Sequence, residues 1–253
     1  MKSIVDFTVK SNKELNSSTI LLIVESKEEL PRILPGQFVN VKIDNNSVLL
    51  RRPISIHDVD YKNRQISLYI KVLGKGTASL KELEAGDIVN ILLPLGNSFD
   101  ISLGKKPLLI GGGCGVAPLL YLAKVLFEDH NIKPTVLIGA RSEEDILQVN
   151  EYKKYADLLI STEDGSLGEK GYPTNHTVWD NPEFDCIYCC GPEIMMKAIA
   201  SKAKEINVPC EVSLENTMAC GIGACLCCVQ DTDKGHQCVC TDGPVFNINV
   251  LKW

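Results

Sequence analysis

Four cysteines near the C-terminus have the spacing of ligands for an iron–sulfur cluster. Cys220, Cys225 and Cys228 form a C-x4-C-x2-C run, and Cys240 follows after eleven further residues. Plant-type 2Fe-2S clusters are bound by thiolates in this pattern, with three of them in one tight loop. Two glycines between the first two cysteines let the backbone pass close to the sulfides and direct N–H groups at them. The segment therefore predicts a one-electron redox centre.

Two points in this cysteine segment stay open. Zinc is the alternative metal, and its sites typically use two C-x2-C pairs separated by a longer spacer. Cys225 and Cys228 form one such pair, but Cys238 and Cys240 are too close together to form the second. Iron–sulfur is therefore favoured over zinc. The residues alone do not decide between Cys238 and Cys240 as the fourth ligand, and they leave Cys227 as a spectator thiol.

An arginine and a glycine turn in the N-terminal part could together bind phosphate. Arg52 follows a predicted strand and could hold a pyrophosphate with its guanidinium, while Ser55 could reach a flavin ring atom. Either residue alone is more typical of a solvated barrel strand. The segment from Lys71 to Thr77 is a glycine-punctuated turn that opens a helix and could present backbone N–H groups to phosphate oxygens. Together with Arg52 it predicts a phosphate site.

Two further glycine turns lie where short strands meet helices. The run from Gly111 to Pro118 follows an apolar strand, at a position where free amides bind a dinucleotide pyrophosphate. The alternative is a purely structural turn. The run is not a regular G-x-G-x-x-G and no acidic residue ends the next strand, which disfavours an ordinary Rossmann dehydrogenase. Cys190, Gly191 and Pro192 close a later strand at the same predicted sheet edge, where Cys190 could contact a nicotinamide.

Hydrophobic patterns divide the chain into three parts that must position these residues. Residues 1–101 contain short strands separated by turns, which is typical of a small antiparallel β-barrel. Residues 102–208 alternate strands and helices, which predicts a parallel α/β nucleotide-binding domain. Residues 209–253 are rich in cysteine and glycine and predict a small cluster domain. The expected fold is thus multidomain, β followed by α/β.

Composition and charge limit the functions that the chain can have. It has 253 residues, of which 45% are apolar and 23% charged, as in ordinary globular proteins. The net charge of -6 disfavours a nucleic-acid surface. No apolar run reaches the roughly 18–20 residues of a membrane helix, and the N-terminus lacks a signal-peptide core. We expect a cytoplasmic protein that binds neither nucleic acid nor membrane, with its 11 cysteines as metal ligands and buried thiols.

Several of these motifs occur together in one known family. Pro35–Val39, Arg52–Ser55, Gly111–Pro118 and Cys190–Pro192 resemble ferredoxin reductase-type flavoproteins, in that family's order. With the C-terminal stretch Cys240–Phe246 added, the chain resembles a narrower branch, the electron-transfer subunits of type B dihydroorotate dehydrogenases. The resemblance then spans nearly the whole chain.

The resemblance implies three cofactors and a partner. FAD is expected in the barrel, near Arg52, Pro53, Ile54, Ser55, Tyr69, Ile70, Lys71, Gly76 and Thr77. NAD is expected on the second domain, near Gly111, Gly113, Gly115, Val116, Ala117, Pro118, Cys190, Gly191 and Pro192. A 2Fe-2S cluster is expected on Cys220, Cys225, Cys228 and Cys240. The partner is expected to be an FMN-containing dihydroorotate dehydrogenase catalytic subunit, in a two-plus-two heterotetramer that reduces NAD+ in de novo pyrimidine (UMP) biosynthesis.

Cofactor chemistry predicts the order in which electrons pass between the cofactors, while the identity of the partner and the choice of NAD or NADP stay open. A nicotinamide exchanges only hydride, a cluster carries one electron and a flavin does both, so FAD lies between them. No general acid or base is predicted. Rivals are the small subunits of NADH-dependent ferredoxin:NADP+ oxidoreductases or sulfhydrogenase-type diaphorases, and a non-redox zinc-stabilised binding protein. NAD is preferred over NADP if Glu163 and Asp164, rather than Arg141, face the ribose.

Overall fold

The N-terminal part of the chain folds into a closed antiparallel barrel. The computed structural model describes residues 2–44 and 48–253, and Met1, where the predicted barrel domain begins, lies outside them. The barrel elements are β1 (Ser3–Asn16), β2 (Thr19–Ser26), β3 (Phe38–Val41), β4 (Arg52–Asp60), β5 (Gln65–Lys71), α1 (Lys75–Lys81) and β6 (Ile88–Leu95). Around the barrel the strands follow the order β1-β2-β5-β4-β3-β6. The predicted barrel is therefore confirmed.

Two of these strands are not predicted by the sequence patterns. β1 has 14 residues, of which only Phe7 and Val9 are buried, so most of the strand is polar and shows little alternation. Arg52 and Ser55 are expected to follow a strand, but they lie in the first half of β4 itself. That expectation is wrong because the first four residues of β4 are only half-buried and its buried half contains a histidine, His57. Strands of this kind lack the apolar alternation that signals them.

The rest of the chain builds one seven-stranded sheet and a hairpin. Its elements are β7 (Pro107–Gly112), α2 (Ala117–His130), β8 (Thr135–Ala140), α3 (Val149–Tyr155), β9 (Asp157–Thr162), β10 (Glu169–Lys170), β11 (Cys186–Cys190), α4 (Glu193–Glu205), β12 (Cys210–Ser213), β13 (Val229–Thr232), β14 (Gly235–Cys238) and β15 (Val245–Asn247). The sheet order is β10-β9-β8-β7-β11-β12-β15. All neighbours are parallel except β12 and β15. The predicted parallel α/β domain is confirmed. Among the described residues, no helix is long and apolar enough to span a membrane.

The cysteine-rich segment contributes two strands to the edge of this sheet. β12 pairs with β11, and β15 pairs with β12 at the edge. Between them, β13 and β14 form a separate two-stranded hairpin. The segment is therefore anchored at both ends by strands of the α/β sheet. The boundaries after residues 101 and 208 remain predictions.

Helix α2 joins the barrel to the sheet. The His57 ring on β4 is 1% exposed, and its Nδ1 lies 2.8 Å from the carbonyl oxygen of Ala117, the first residue of α2. Because a carbonyl oxygen only accepts, Nδ1 carries a proton. Farther along α2, Lys124 Nζ lies 2.9 Å from Asp58 Oδ1. These two contacts fix the glycine turn at the start of α2 against the barrel.

Protonation of His57 should weaken the fold. Burial lowers the pKa of His57 below 6.5, only partly offset by the Ala117 carbonyl and by the carboxylates of Asp58 and Glu151. Between the lowered folded pKa and 6.5, the unfolded chain binds a proton that the folded chain does not. Stability is therefore lost as pH falls through this window, by up to about 1.4 kcal/mol per pH unit.

We predict that His57→Asn, which keeps an N–H donor for the Ala117 carbonyl but cannot titrate, loses less stability in acid. Between about pH 7.5 and about pH 5.5, its thermal midpoint should fall by about 3 °C less than that of the wild type. The measurement is thermal unfolding of both FAD-loaded proteins. Equal losses in the two proteins would contradict a neutral buried His57.

Candidate functional site

The expected flavin residues lie where β4 and β5 separate. The ladder between the two strands stops at the Ile56–Leu68 pair. Beyond it, Arg52–Ser55 pair with β3 and Tyr69–Lys71 pair with β2. Within the described residues, these two segments do not pair with each other across the gap. The facing edges therefore leave backbone donors and acceptors for a flat polar ligand, as the prediction of a flavin here requires.

Arg52 lies against the first turn of α1, at one end of this cleft. A Cβ atom on Gly76 would overlap Arg52 Nε, so only a glycine leaves room for the guanidinium. The Arg52 Nη1 atom donates to the Leu50 carbonyl at 2.7 Å. Thr77 Oγ1 accepts two backbone N–H groups of the preceding turn, at 2.9 and 3.2 Å. A cation beside a tight backbone turn suits a phosphate group of FAD.

The three β5 residues of the predicted set point in different directions. Ile70 lies in the barrel core, so only its backbone can face a cofactor. Tyr69 is 6% exposed and its ring centroid lies 5.4 Å from that of His57. Burial raises the pKa of Tyr69 to about 12, so its hydroxyl stays protonated. Lys71 is half-buried and lines the neighbouring cavity.

A cavity of about 590 Å³ lies at the carboxyl edge of the parallel sheet. Ligands of open α/β sheets bind at this edge. The cavity runs from Lys71 on the barrel to Arg141 and Glu163, which follow β8 and β9. Of the predicted nucleotide residues, Gly113 and Pro192 line its wall. Residues of both the barrel and the α/β sheet line the cavity, as a dinucleotide site between FAD and NAD domains requires.

The other predicted nucleotide residues form the layer behind this wall. All of them are buried: Gly111, Gly115, Val116, Ala117, Pro118, Cys190 and Gly191. A Cβ atom on Gly115 would overlap the Cys190 carbonyl, so the glycine turn packs directly on the end of β11. Cys190 itself is 2% exposed, and burial raises the pKa of its thiol well above the ordinary value. It therefore supports the wall as a neutral thiol, and its contact with a nicotinamide stays a prediction.

Cys114 and Glu215 are among the cavity residues that are absent from the sequence-based set. Cys114 Sγ lies 3.7 Å from Glu215 Oε1, and both residues line the cavity near Lys71. Burial raises the pKa of Glu215. Burial, together with the nearby Glu215 carboxylate, raises the pKa of the Cys114 thiol to about 11. Glu215 follows β12, which runs parallel to β11 and ends at the same sheet edge. A residue just after a strand of this sheet could have been predicted from the sequence to lie at the cavity. The strand is not recognised, because residues 209–253 are assigned to a separate cluster domain.

The loop before β13 and the hairpin that follows it bring the four predicted cluster thiols together in two pairs. Cys220 and Cys225 are in contact within the loop before β13. Cys228 and Cys240 are in contact at the base of the hairpin, where the Cys240 N–H lies 3.4 Å from Cys228 Sγ. A 2Fe-2S cluster has four cysteine ligands, two on each iron. The paired thiols therefore fit this cluster.

Backbone amides point at the same thiols. The Ile222 N–H lies 3.4 Å from Cys220 Sγ, and the Gly223 N–H lies 3.1 Å from Cys240 Sγ. The amide of Ile222 is the main cause that lowers the pKa of Cys220 to about 6, which favours the thiolate. Gly223 has a φ of +84°, a conformation that glycine adopts without strain. Gly223 thus serves the donor role that the sequence predicts for the two glycines, while the other donor is Ile222 rather than Gly221.

The structure also bears on the fourth ligand. Cys238 is half-buried and contacts Cys228, while its own N–H donates to Asp242 Oδ2 at 2.7 Å. Cys240 is fully buried and receives the Gly223 amide. This geometry favours Cys240, and the assignment remains a prediction. Within the described part of the chain, no three His, Cys, Asp or Glu side chains form a group that could hold a single metal ion.

Three known domain families match the chain in the order of these sites. Residues 6–99 match the oxidoreductase FAD-binding domain, and residues 109–201 match the oxidoreductase NAD-binding domain. Residues 215–252 match the iron–sulfur cluster binding domain of dihydroorotate dehydrogenase B. A dihydroorotate dehydrogenase B (NAD(+)) electron transfer subunit from Fusobacterium nucleatum is 37% identical, over 96% of each chain. The chain belongs to this family of electron transfer subunits.

A second curated relative carries the same name, and two solved structures share the fold. The Clostridium acetobutylicum subunit is 42% identical over 85% of this chain and 84% of its own. A solved NADH-dependent reduced ferredoxin-NADP oxidoreductase structure superposes with a TM-score of 0.88, at 29% identity, covering 98% of this chain and 90% of that one. The ferredoxin reductase of carbazole 1,9a-dioxygenase, at 20% identity and a TM-score of 0.70 over 82% of this chain and 67% of that one, shares the fold.

These findings bear on the rival functions. The curated relatives at 37% and 42% identity carry the dihydroorotate dehydrogenase name, whereas the ferredoxin-NADP oxidoreductase structure is more distant. The matching C-terminal domain family binds an iron–sulfur cluster. None of the rivals is therefore favoured, neither the ferredoxin:NADP+ oxidoreductase, nor the sulfhydrogenase-type diaphorase, nor the zinc-stabilised binding protein. The expected FAD, NAD and iron–sulfur binding regions are all present in this family member.

We predict that Gly76→Ala weakens FAD binding by about tenfold or more, because its methyl group displaces the Arg52 guanidinium from the phosphate site. The matched control is Gly74→Ala, whose new methyl group would meet none of the described residues within 4 Å and whose φ of -162° suits any residue. FAD content per chain after gel filtration measures the effect. Equal FAD content in the two variants would show that Arg52 does not hold the cofactor.

Serine replacements should separate the two candidate ligands. Cys240→Ser should abolish the cluster absorption and the electron paramagnetic resonance (EPR) signal, because one iron loses a thiolate. Cys238→Ser should retain both, and so should Cys227→Ser, which changes an exposed spectator thiol. The measurement is anaerobic EPR with iron and sulfide analysis. Loss of the cluster in Cys238→Ser but not in Cys240→Ser would reverse the assignment.

Proposed function

We propose that this chain is the electron transfer subunit of an NAD+-dependent dihydroorotate dehydrogenase. It would carry electrons from an FMN-containing catalytic subunit through a 2Fe-2S cluster and FAD to NAD+, in de novo pyrimidine biosynthesis. Family membership over nearly the whole chain supports this activity. The three cofactor-binding regions in a single chain supply the required sequence of carriers.

Lys71 is the observation that carries the proposed order of cofactors. It ends β5 beside the unpaired edge of the flavin cleft, and it also lines the nucleotide cavity with Gly113 and Cys114. A flavin in the cleft would therefore lie next to the cavity, where a nicotinamide could approach it. Direct contact of the two rings is what hydride transfer requires. The junction at Lys71 thus supports exchange between FAD and NAD.

The cluster segment packs on the same barrel from another side. Phe38 on β3 shares one hydrophobic core with Cys228, Val239 and Cys240. The barrel that would hold FAD is therefore in contact with both the cluster segment and the nucleotide cavity. When bound, the flavin exchanges single electrons with the cluster and hydride with the nicotinamide. The chain's own residues position the three groups and keep this order.

The face around Cys225 suits the catalytic subunit. Cys225 is exposed, and beside it Ile222 and Leu226 are 48% and 65% exposed. Clustered apolar side chains in water are typical of protein interfaces. A partner bound here would bring its own cofactor close to the cluster. The two-plus-two heterotetramer belongs to the proposal and is supported by the family resemblance alone.

The names of the curated relatives support NAD rather than NADP, whereas the far end of the cavity carries one charge of each sign, since Glu163 would repel a 2′-phosphate and Arg141 would attract one. Glu163 and Arg141 both line the cavity. Asp164 is not among the described residues that line it, and its carboxylate accepts from the Ser166 N–H at 3.0 Å and the Ser166 hydroxyl at 2.6 Å. Glu163 is thus the carboxylate positioned to repel a 2′-phosphate and to accept from a free 2′-hydroxyl.

Reconstitution with the FMN-containing subunit tests the proposed function. We expect the mixture to form a stable complex that reduces NAD+ with dihydroorotate, while either subunit alone does not. NADP+ should be reduced at least about tenfold more slowly, because one repelled charge costs about 1.4 kcal/mol or more. Gel filtration and the absorbance of NADH measure the two results. Failure of the complex to form, or faster reaction with NADP+, would contradict the proposal.

A further inference from the structure

Asn40 is a buried amide on the outer face of the barrel. It is 1% exposed, and its strand neighbours Val39 and Val41 point into the barrel core, so its side chain points outward. Its Oδ1 atom has no hydrogen-bond partner within the described residues. A buried polar atom without a partner destabilises a fold. Asn40 therefore calls for a reason other than stability.

The amide nitrogen of Asn40 touches the cluster loop. Its Nδ2 lies 3.4 Å from the carbonyl oxygen of Cys220, which belongs to a predicted cluster ligand. A Cβ atom on Gly221 would lie 2.7 Å from the same nitrogen. Gly221 has a φ of +72°, so the loop turns at this point in a glycine conformation. The loop is therefore shaped to lie directly on the Asn40 side chain.

The other neighbour of Asn40 is the flavin strand. Asn40 is paired with Pro53 in the β3–β4 ladder, and Phe38 is paired with Ser55. Directly paired residues point to the same side of a sheet, and residues two apart on a strand share a face. Asn40 thus lies on one sheet face with Pro53 and Ser55 of the flavin cleft.

The backbone of Asn40 is also held in place. Arg51 Nη1 donates to the Asn40 carbonyl at 3.2 Å and to the Asn90 carbonyl at 3.1 Å. Arg51 Nη2 donates to Asn90 Oδ1. This bridge between β3 and β6 holds the backbone from which the Asn40 side chain reaches the cluster loop.

We propose that Asn40 is a positioning residue that fixes the cluster loop on the flavin strand and so sets the rate of electron transfer between the cluster and FAD. The proposal rests on the proposed function. Each step moves one electron between the two groups and breaks no bond. Two such electrons and one proton make up the hydride that NAD+ accepts. Asn40 carries none of them; it fixes the distance and the hydrogen bonding of the Cys220 end of the cluster.

The chemistry at this contact requires an amide. A carboxylate of the same shape would oppose the Cys220 carbonyl with a negative oxygen. A smaller side chain would leave the carbonyl without a donor and the loop without support. Removal of a residue that hydrogen-bonds to a metal ligand typically lowers metal affinity or activity by about 10–100-fold. Loss of the Asn40 amide should therefore be visible at the cluster while the nucleotide cavity stays intact.

The test uses Asn40→Asp and Asn40→Ser in the complex with the catalytic subunit. After mixing with NADH, stopped-flow absorbance follows FAD reduction and rapid freeze-quench EPR follows cluster reduction. We expect FAD reduction at the wild-type rate, cluster reduction slowed by about tenfold or more, and a shifted EPR signal. If Asn40→Asp does not fold, Asn40→Ser decides. Wild-type cluster reduction with an unchanged EPR signal would overturn the role of Asn40.

Asn12→Asp is the matched control. Asn12 is another barrel asparagine. Its Nδ2 donates to the backbone carbonyls of Leu80, Lys81 and Leu83, and its buried Oδ1 has no partner in the part of the chain that the structure describes. Asn12 contacts the end of α1 rather than the cluster loop. The substitution should therefore lower the thermal midpoint and leave the EPR signal unchanged. An equal slowing in Asn12→Asp would attribute the effect to barrel damage and overturn the proposal. A wild-type complex without any cluster signal would overturn the proposed function itself.

Discussion

The register between β3 and β4 is the constraint on which the other sites depend. It pairs Phe38 with Ser55 and Asn40 with Pro53, so the residues that support the cluster segment and those of the flavin cleft share one face. Because side chains alternate along a strand, a slip by one residue would turn Ser55 into the barrel core and Ile54 outward. The apolar residues Val39 and Val41 on the opposite face fix the register through burial.

The cluster site is held by contacts between distant parts of the chain. Asn97, just after β6, accepts from the Val245 N–H at 2.9 Å and donates to the carbonyls of Asp242 and Val245. Its own N–H donates to the Gly243 carbonyl. One asparagine thus binds the stretch that follows Cys240 to the end of the barrel. With β12 and β15 in the sheet, the cluster loop is supported from both domains.

The nucleotide cavity depends on close backbone approach and on neutral buried groups. Gly115 lets the glycine turn rest on the end of β11, and His57 holds the start of α2 through the Ala117 carbonyl. Behind the wall, Cys190 is buried as a thiol rather than a thiolate. This neutral wall leaves the charges of the cavity to Lys71, Glu215, Asp145, Arg141 and Glu163.

The sequence by itself determined the features that are local. The spacing of Cys220, Cys225 and Cys228, the glycine turn at 111–118 and the alternation of strands and helices are set by neighbours along the chain. Tertiary structure decided the rest. β1 and β4 escaped prediction because their polar faces are explained only by closure of the barrel. Asn40 carries no local signal, because only strand register brings it to the cluster loop. Glu215 is signalled only by the strand before it, and sheet order is what brings it to the cavity. The preference for Cys240 over Cys238 likewise depends on the Gly223 amide, seventeen residues away in the chain, because only folding brings that donor to a thiol.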